Sequence, residues 1–196
     1  MMTGWIETLN EDSLRSLSIF LDATCVAGDA LLLDECRNYL YENFEGSSDV
    51  LAHLAKSALA FETPLSLFSG FVLGSADHES ELDIKKGGIF AIVHGIRILA
   101  LEYKIECTNT TERIKKLNNV GLFDKHFANE LIEAYDTLLE IRLRSMLSQT
   151  NISEEQNYVN PKLFSKTDRQ LLKDAFKIVN TFKKFLTFHF HLGMVL

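Results

Sequence analysis

The chain has 196 residues, a net charge of −7, three cysteines, two prolines and ten glycines. Its length suffices for one sizeable domain with a real core, and its acidic balance argues against a broad nucleic-acid-binding surface, which needs a basic stripe. Cys25, Cys36 and Cys107 show no C-x-x-C or zinc-type spacing and read as reduced thiols of a cytoplasmic protein.

Residues 1–16 are short and mixed. Leu17 to Ala23, LSIFLDA, is aliphatic and aromatic and ends at Asp22 before a turn near Gly28, which predicts a strand. A lone strand cannot satisfy its own backbone groups. It is therefore expected to be the remnant of a preceding domain. Asp29 is placed to cap a helix running to about Phe44. Ser48 is placed to cap a second, Asp49 to about Phe61, and Pro64 breaks the helical pattern beyond it.

Leu82 to Leu101, LDIKKGGIFAIVHGIRILAL, is apolar on nearly every side at helical spacing, so it belongs at the centre of a bundle. Ser80 and Asp83 have the form of a capping box. Gly87 and Gly88 each weaken a helix by about 1 kcal/mol, which suggests that another backbone or a ligand comes close. His94 and Arg97 interrupt the run well short of the roughly 20 residues a bilayer requires, so no membrane span is expected. Arg97 sits mid-helix among apolar residues, and a buried charge needs a carboxylate or an anionic ligand.

The rest of the chain holds three more helices. Thr110 is read as the cap of a short one, Thr111 to Asn118, which Gly121 ends. Asp124 opens a long one to about Ser148, with Ala128, Leu131, Tyr135, Leu138, Arg142 and Met146 in line. After a polar loop over Asn151 to Pro161, Ser165 or Thr167 caps the last, Asp168 to about His189. The predicted fold is all-α, an antiparallel helical bundle with a short N-terminal strand. The expected division is residues 1–26 as the remnant and 27–196 as the helical domain.

Chemistry-bearing patterns are sparse. Gly74-Ser75 followed by Glu81-Leu82-Asp83 has a likeness to the Gly-Ser and D-x-D elements that hold phosphate and magnesium, but a helix cap explains these residues better. His189 and His191 point to different helix faces. The basic residues Lys85, Lys86, Arg97, Arg113, Arg142 and Arg144 are the candidate binding set. They either pair internally with Asp83, Glu112 or Glu140, or line a cleft that grips phosphate. Arg97 and Arg142 both interrupt apolar stripes and are expected to face one another across the bundle.

Five blocks, taken in order, resemble one family. They are Asp83-Ile-Lys85-Lys86-Gly-Gly with Ile92-Val93 and Arg97; Thr111-Glu-Arg113-Ile114; Leu138-Leu-Glu-Ile-Arg142-Leu-Arg144; Asn157-Tyr-Val-Asn-Pro161; and Leu171-Leu-Lys-Asp-Ala-Phe176. Together they are similar to the nucleotidyltransferase substrate-binding domain. In bacteria this domain follows a nucleotidyltransferase domain, often behind cyclic-nucleotide-binding and CBS domains, in proteins similar to the PII-protein uridylyltransferases. Ser145-Met146 departs from the family pattern, which often has glutamine there.

The resemblance implies a substrate-binding helical domain of a signalling nucleotidyltransferase, with an upstream catalytic domain as partner and a nucleotide or acceptor protein as ligand. It implies that the metal-binding motif and its Mg2+ belong to that catalytic domain, with no cofactor in this chain, so the chain alone should be inactive. Asp22 would then end the last catalytic strand and assist the metal pair. The alternative is a structural or regulatory protein-interaction module without a small-molecule site.

Overall fold

The computed structural model describes residues 4–5, 8, 10–44, 48–66, 70–74, 80–148 and 157–193. Its helices are α1 (Glu11–Phe20), α2 (Ala30–Phe44), α3 (Ser48–Ala58), α4 (Phe90–Glu102), α5 (Thr110–Asn119), α6 (Lys125–Ser148) and α7 (Lys166–His189). Strands β1 (Leu82–Asp83) and β2 (Tyr158–Val159) form a two-residue antiparallel ladder, Leu82 opposite Val159 and Asp83 opposite Tyr158. The all-α class is as expected.

The expected strand over Leu17 to Ala23 is not formed. Asn10 caps α1 by accepting from Ser13 N–H at 2.9 Å, and the helix carries through Phe20. In a strand Leu17 and Ile19 would share a face. Here Leu17 is fully buried while Ile19 is 65% exposed, and Ser13 and Leu17 share the buried side at helical spacing.

The central stretch is not one helix from Leu82. Leu82 and Asp83 pair with β2, and Lys85–Ile89 form a π-helical turn that feeds α4. Asp83 caps that turn by accepting from Lys86 N–H at 2.8 Å, while Ser80 Oγ accepts from Lys162 Nζ. The wide turn brings Gly87 and Gly88 against neighbouring side chains, where another backbone or a ligand was expected. A Cβ at Gly87 would lie 2.5 Å from Pro64 Cδ, and one at Gly88 2.8 Å from Leu138 Cδ1. The polar loop before Pro161 contains β2, and Ser75 and residues 149–156 lie outside the described residues.

α6 and α7 pack antiparallel. Phe123, just before α6, meets Phe182 and Phe185 near the end of α7, and Arg144 near the end of α6 meets Asp168 at the start of α7. The π-helical turn packs on both, and α4 continues along α7 with α3 and α5 on its other sides. The buried line of α6 is Ala128, Leu131, Ala134, Leu138 and Ile141, and that of α7 is Leu172, Ala175, Phe176, Val179, Phe182 and Leu186. Each fully buried Phe or Leu contributes about 1.5–3 kcal/mol. The α6 line keeps Ala128, Leu131 and Leu138 of the expected stripe but takes Ala134 and Ile141 in place of Tyr135 and Arg142, which flank the core.

Three helices stop in the same way. After α5, Gly121 (φ 82°) donates to Asn118 O and Leu122 N–H to Leu117 O, the paired bonds of a Schellman motif. Lys104 (φ 52°) with Ile105 repeats it after α4, and His191 (φ 51°) with Leu192 after α7. The α5 cap is Asn109, one residue before the expected Thr110, accepting from Glu112 N–H at 3.0 Å. Ser165 caps α7 as expected, accepting from Asp168 N–H at 3.0 Å. Among the described residues no helix is long and apolar enough to cross a membrane.

Candidate functional site

Arginines from three helices converge on the coil that leaves α1. Leu21, Asp22 and Ala23 hang from the last turn of α1, their N–H groups donating to Leu17 O, Ile19 O and Phe20 O. Arg97 of α4 and Arg113 of α5 both close on Asp22. Arg97 Nη2 takes Oδ2, and Arg113 Nη1 stands 2.8 Å from Oδ1. Arg37 of α2 donates to Ala23 O at 2.6 Å and stands 3.7 Å from Asp34.

Burial orders the cluster. The side chain of Arg113 is 4% exposed, that of Arg97 12% and that of Asp22 31%. Asp22 is thus the most exposed of the three, although its Oδ1 is itself buried. Arg113 is also held independently of Asp22, because its Nε donates to Cys107 O at 2.6 Å. The question posed by a charge in the middle of an apolar helix is thus answered by Asp22, 75 residues away in sequence from Arg97.

Burial dominates the titration of the two groups flanking the cluster. His94, one turn before Arg97 and stacked on Phe90 at 3.9 Å, has its pKa pushed down to about 4 by burial first and by Arg97 second, with Asp22 pulling it back. Tyr41 lies on the other flank. Burial and then Glu106 push its hydroxyl pKa up, against Arg37 and Arg113. Beside the coil is an open cleft of about 430 Å³ between the start of α2 and the α4–α5 loop, lined by Thr24, Arg37, Glu106, Cys107 and Asn109 among others.

The remaining basic candidates are elsewhere. Arg142 Nε donates to Asn157 Oδ1 at 3.0 Å. Arg144 pairs with Glu140 at 2.5 Å and stands 3.5 Å from Asp168. Lys86 lies 3.8 Å from Asp83 and over the Phe61 ring, and Lys85 is exposed.

The expectation that Arg97 and Arg142 face one another fails. Gly88 sits on Leu138 and Phe176, whereas Gly95 sits on Phe182 and Leu186. α4 therefore carries Arg97 toward the far end of α7, while Arg142 lies one turn past Leu138 toward the start of α7. Of the six basic candidates the structure unites Arg97 and Arg113, with Asp22 between them. Sequence reasoning missed Arg37, whose apolar neighbours Leu33 and Leu40 are an available signal.

The profile of the family described as "Putative nucleotidyltransferase substrate binding domain" matches residues 48–190, and the chain belongs to that family. The matched stretch includes Arg97, Arg113, Arg142 and Arg144, and leaves out Asp22 and Arg37. No curated protein and no solved structure matches the chain.

Proposed function

We propose that this member of the substrate-binding family serves a uridylyltransferase-like signalling nucleotidyltransferase, holding nucleotide beside a catalytic domain. The observation that carries this is the convergence of Arg97 and Arg113 on one carboxylate. Two guanidiniums are thereby held side by side, next to a partly exposed aspartate. Nucleotide phosphate is a fitting occupant, because arginine presents paired donors in a planar fork. The family's description names a nucleotidyltransferase, so an associated catalytic domain is part of the proposal, together with its carboxylates and Mg2+. Residues 1–26 would belong with that domain and 27–196 with the substrate-binding one. The three cysteines are free thiols, as suits a cytoplasmic protein.

Asp22 as a metal-assisting carboxylate fits this geometry less well. A divalent cation brought to it would meet two guanidiniums at contact distance, so both arginines would have to let go first.

The experiment is UTP titration of a protein that carries this chain together with its nucleotidyltransferase domain. Arg97→Met should weaken UTP binding by about tenfold or more, since a hydrogen bond to a charged group is worth about 1.5–3 kcal/mol. Arg144→Met, exposed and paired elsewhere, should leave it unchanged. A specific observation favours the interaction-module alternative as second choice: Ile19, Val26, Leu31 and Leu32 are each more than half exposed. If Arg97→Met lowers the melting temperature and leaves UTP affinity intact, that module is the better account.

A further inference from the structure

We infer that the outward face of α2 is the surface on which the associated nucleotidyltransferase domain docks, through an apolar stripe set among acidic residues. This rests on the reading that such a domain accompanies the chain, and it adds where that domain sits and what its contacting surface carries.

α2 turns Leu33, Cys36, Arg37, Leu40 and Tyr41 toward the body of the chain. Among its described side chains only Leu40 is fully buried, whereas the shorter α3 sends Val50, Leu51, Ala52, Leu54, Ala55 and Ala58 into the core. A helix of about 12–15 residues is marginal by itself and is held by the face it buries. α2 is 15 residues long, and a second set of apolar side chains points away from the body. At about 3.6 residues per turn, Leu31, Leu32, Glu35, Asn38, Tyr39 and Glu42 share that outward side. Leu31 and Leu32 are 66% and 62% exposed, and the coil ahead of them exposes Val26 at 95%. A single exposed leucine is ordinary, but two adjoining ones with Tyr39 two turns further on make a stripe.

Charge selects the occupant. Glu35 and Glu42 stand among these apolar residues, and the one base of α2, Arg37, is turned inward with its side chain 18% exposed. The fitting partner is an apolar surface edged with lysine or arginine. A second copy of this chain fits poorly, because seating the same face on itself brings Glu35 and Glu42 against their counterparts. The catalytic domain fits by position as well. The family match begins at residue 48, so α2 lies outside the shared substrate-binding core. The inner side of α2 holds the coil that carries Asp22, through Arg37 and Ala23 O at 2.6 Å. A domain seated on the outer side is then one helix diameter, about 10–12 Å, from the coil on which Arg97 and Arg113 close.

The test is hydrogen exchange, read by mass spectrometry, on this chain alone and on the same chain joined to its nucleotidyltransferase domain. The amides of α2 should exchange at least about tenfold more slowly in the two-domain protein, while those around the exposed Leu143 and Leu147 of α6 keep their rates. Leu32→Asp in the two-domain protein should return α2 to the rate of the chain alone, and Glu35→Lys/Glu42→Lys should return it in part. Equal α2 rates in the two unaltered proteins overturn docking, as does slowing of the same size in α2 and α6, or protection that survives either substitution. Should Leu32→Asp fail to fold, the charge-reversed variant decides. Sedimentation of the chain alone that shows a dimer broken by Leu32→Asp overturns the proposal in favour of a second copy. Protection of α2 with an unchanged UTP affinity in Arg97→Met would keep docking and remove the nucleotide role. A UTP defect in Arg97→Met with α2 unprotected would keep the nucleotide role and remove docking.

Discussion

Gly95→Ala measures how closely α4 is seated on α7. A Cβ at Gly95 would lie 2.6 Å from Leu186 Cδ1 and 2.7 and 2.9 Å from Phe182 Cε1 and Cζ. Carbon atoms rest comfortably at about 3.5–4.0 Å. Leu186 and Phe182 are fully buried, so neither can turn aside and α4 must move off α7. An added methyl in a packed core costs about 1–3 kcal/mol, and three such contacts place this site at about 2–3 kcal/mol on the same scale. Alanine regains about 1 kcal/mol over glycine in a helix interior. The net loss is then about 1–2 kcal/mol. At about 2–4 °C per kcal/mol for a chain of this size, Tm should fall by about 2–8 °C. Thermal unfolding followed by circular dichroism reads the shift, and urea unfolding with an unchanged m-value confirms that stability is what moved. Gly193→Ala, where nothing lies within 4 Å, is the control. A Gly95→Ala protein as stable as the unaltered chain would refute the close seating of α4.

Two further outcomes rest on local conformation and charge. Lys104 holds the left-handed position that Gly121 holds after the next helix, so Lys104→Gly should stabilise by up to about 1 kcal/mol once the freer unfolded chain is counted; a lower urea midpoint would contradict this. His94 is held down to about 4 by burial and by Arg97, while in the unfolded chain it titrates near its ordinary value of about 6.5. Between these values the unfolded chain binds a proton that the folded one does not, so stability is complete above about pH 6.5 and declines as pH falls toward about 4. His94→Gln should flatten that limb of the Tm–pH curve, and an unaltered limb would show that His94 is not its source.

The parts of the fold readable in the sequence are those fixed by local rules. Period-3.6 apolar patterning located α2 to α7 but not α1. Asp29, Asp124 and Ser165 accept N–H bonds where they were read as helix starts, and Gly121 ends α5. Glu140 and Asp83 pair with Arg144 and Lys86, each within one helical turn. What was illegible is non-local or locally ambiguous. LSIFLDA is apolar enough for a strand or a helix, and the deciding signal was Asn10, a cap whose effect depends on the helix it begins. Lys104 and His191 end helices in a conformation usually signalled by glycine. The Arg142 stripe looked continuous because a single residue separates this flanking position from the core one, Ile141. Asp22 could not be matched to Arg97 and Arg113 by spacing, since only the assembled bundle brings them together.

A charge buried mid-helix admits two remedies, an internal carboxylate or an external anion, and Asp22 supplies the first for Arg97. Asp22 neutralises one guanidinium's worth of charge. Arg113, almost wholly buried, retains a backbone carbonyl whatever Asp22 does. That arrangement separates two roles usually fused in a buried ion pair. Cys107 O and the α4 backbone position the cations, while Asp22 supplies countercharge. A purely structural bridge has no need of that separation, because positioning and neutralisation come from the same partner. An anion site does need it, since the cations must stay poised when the countercharge changes hands.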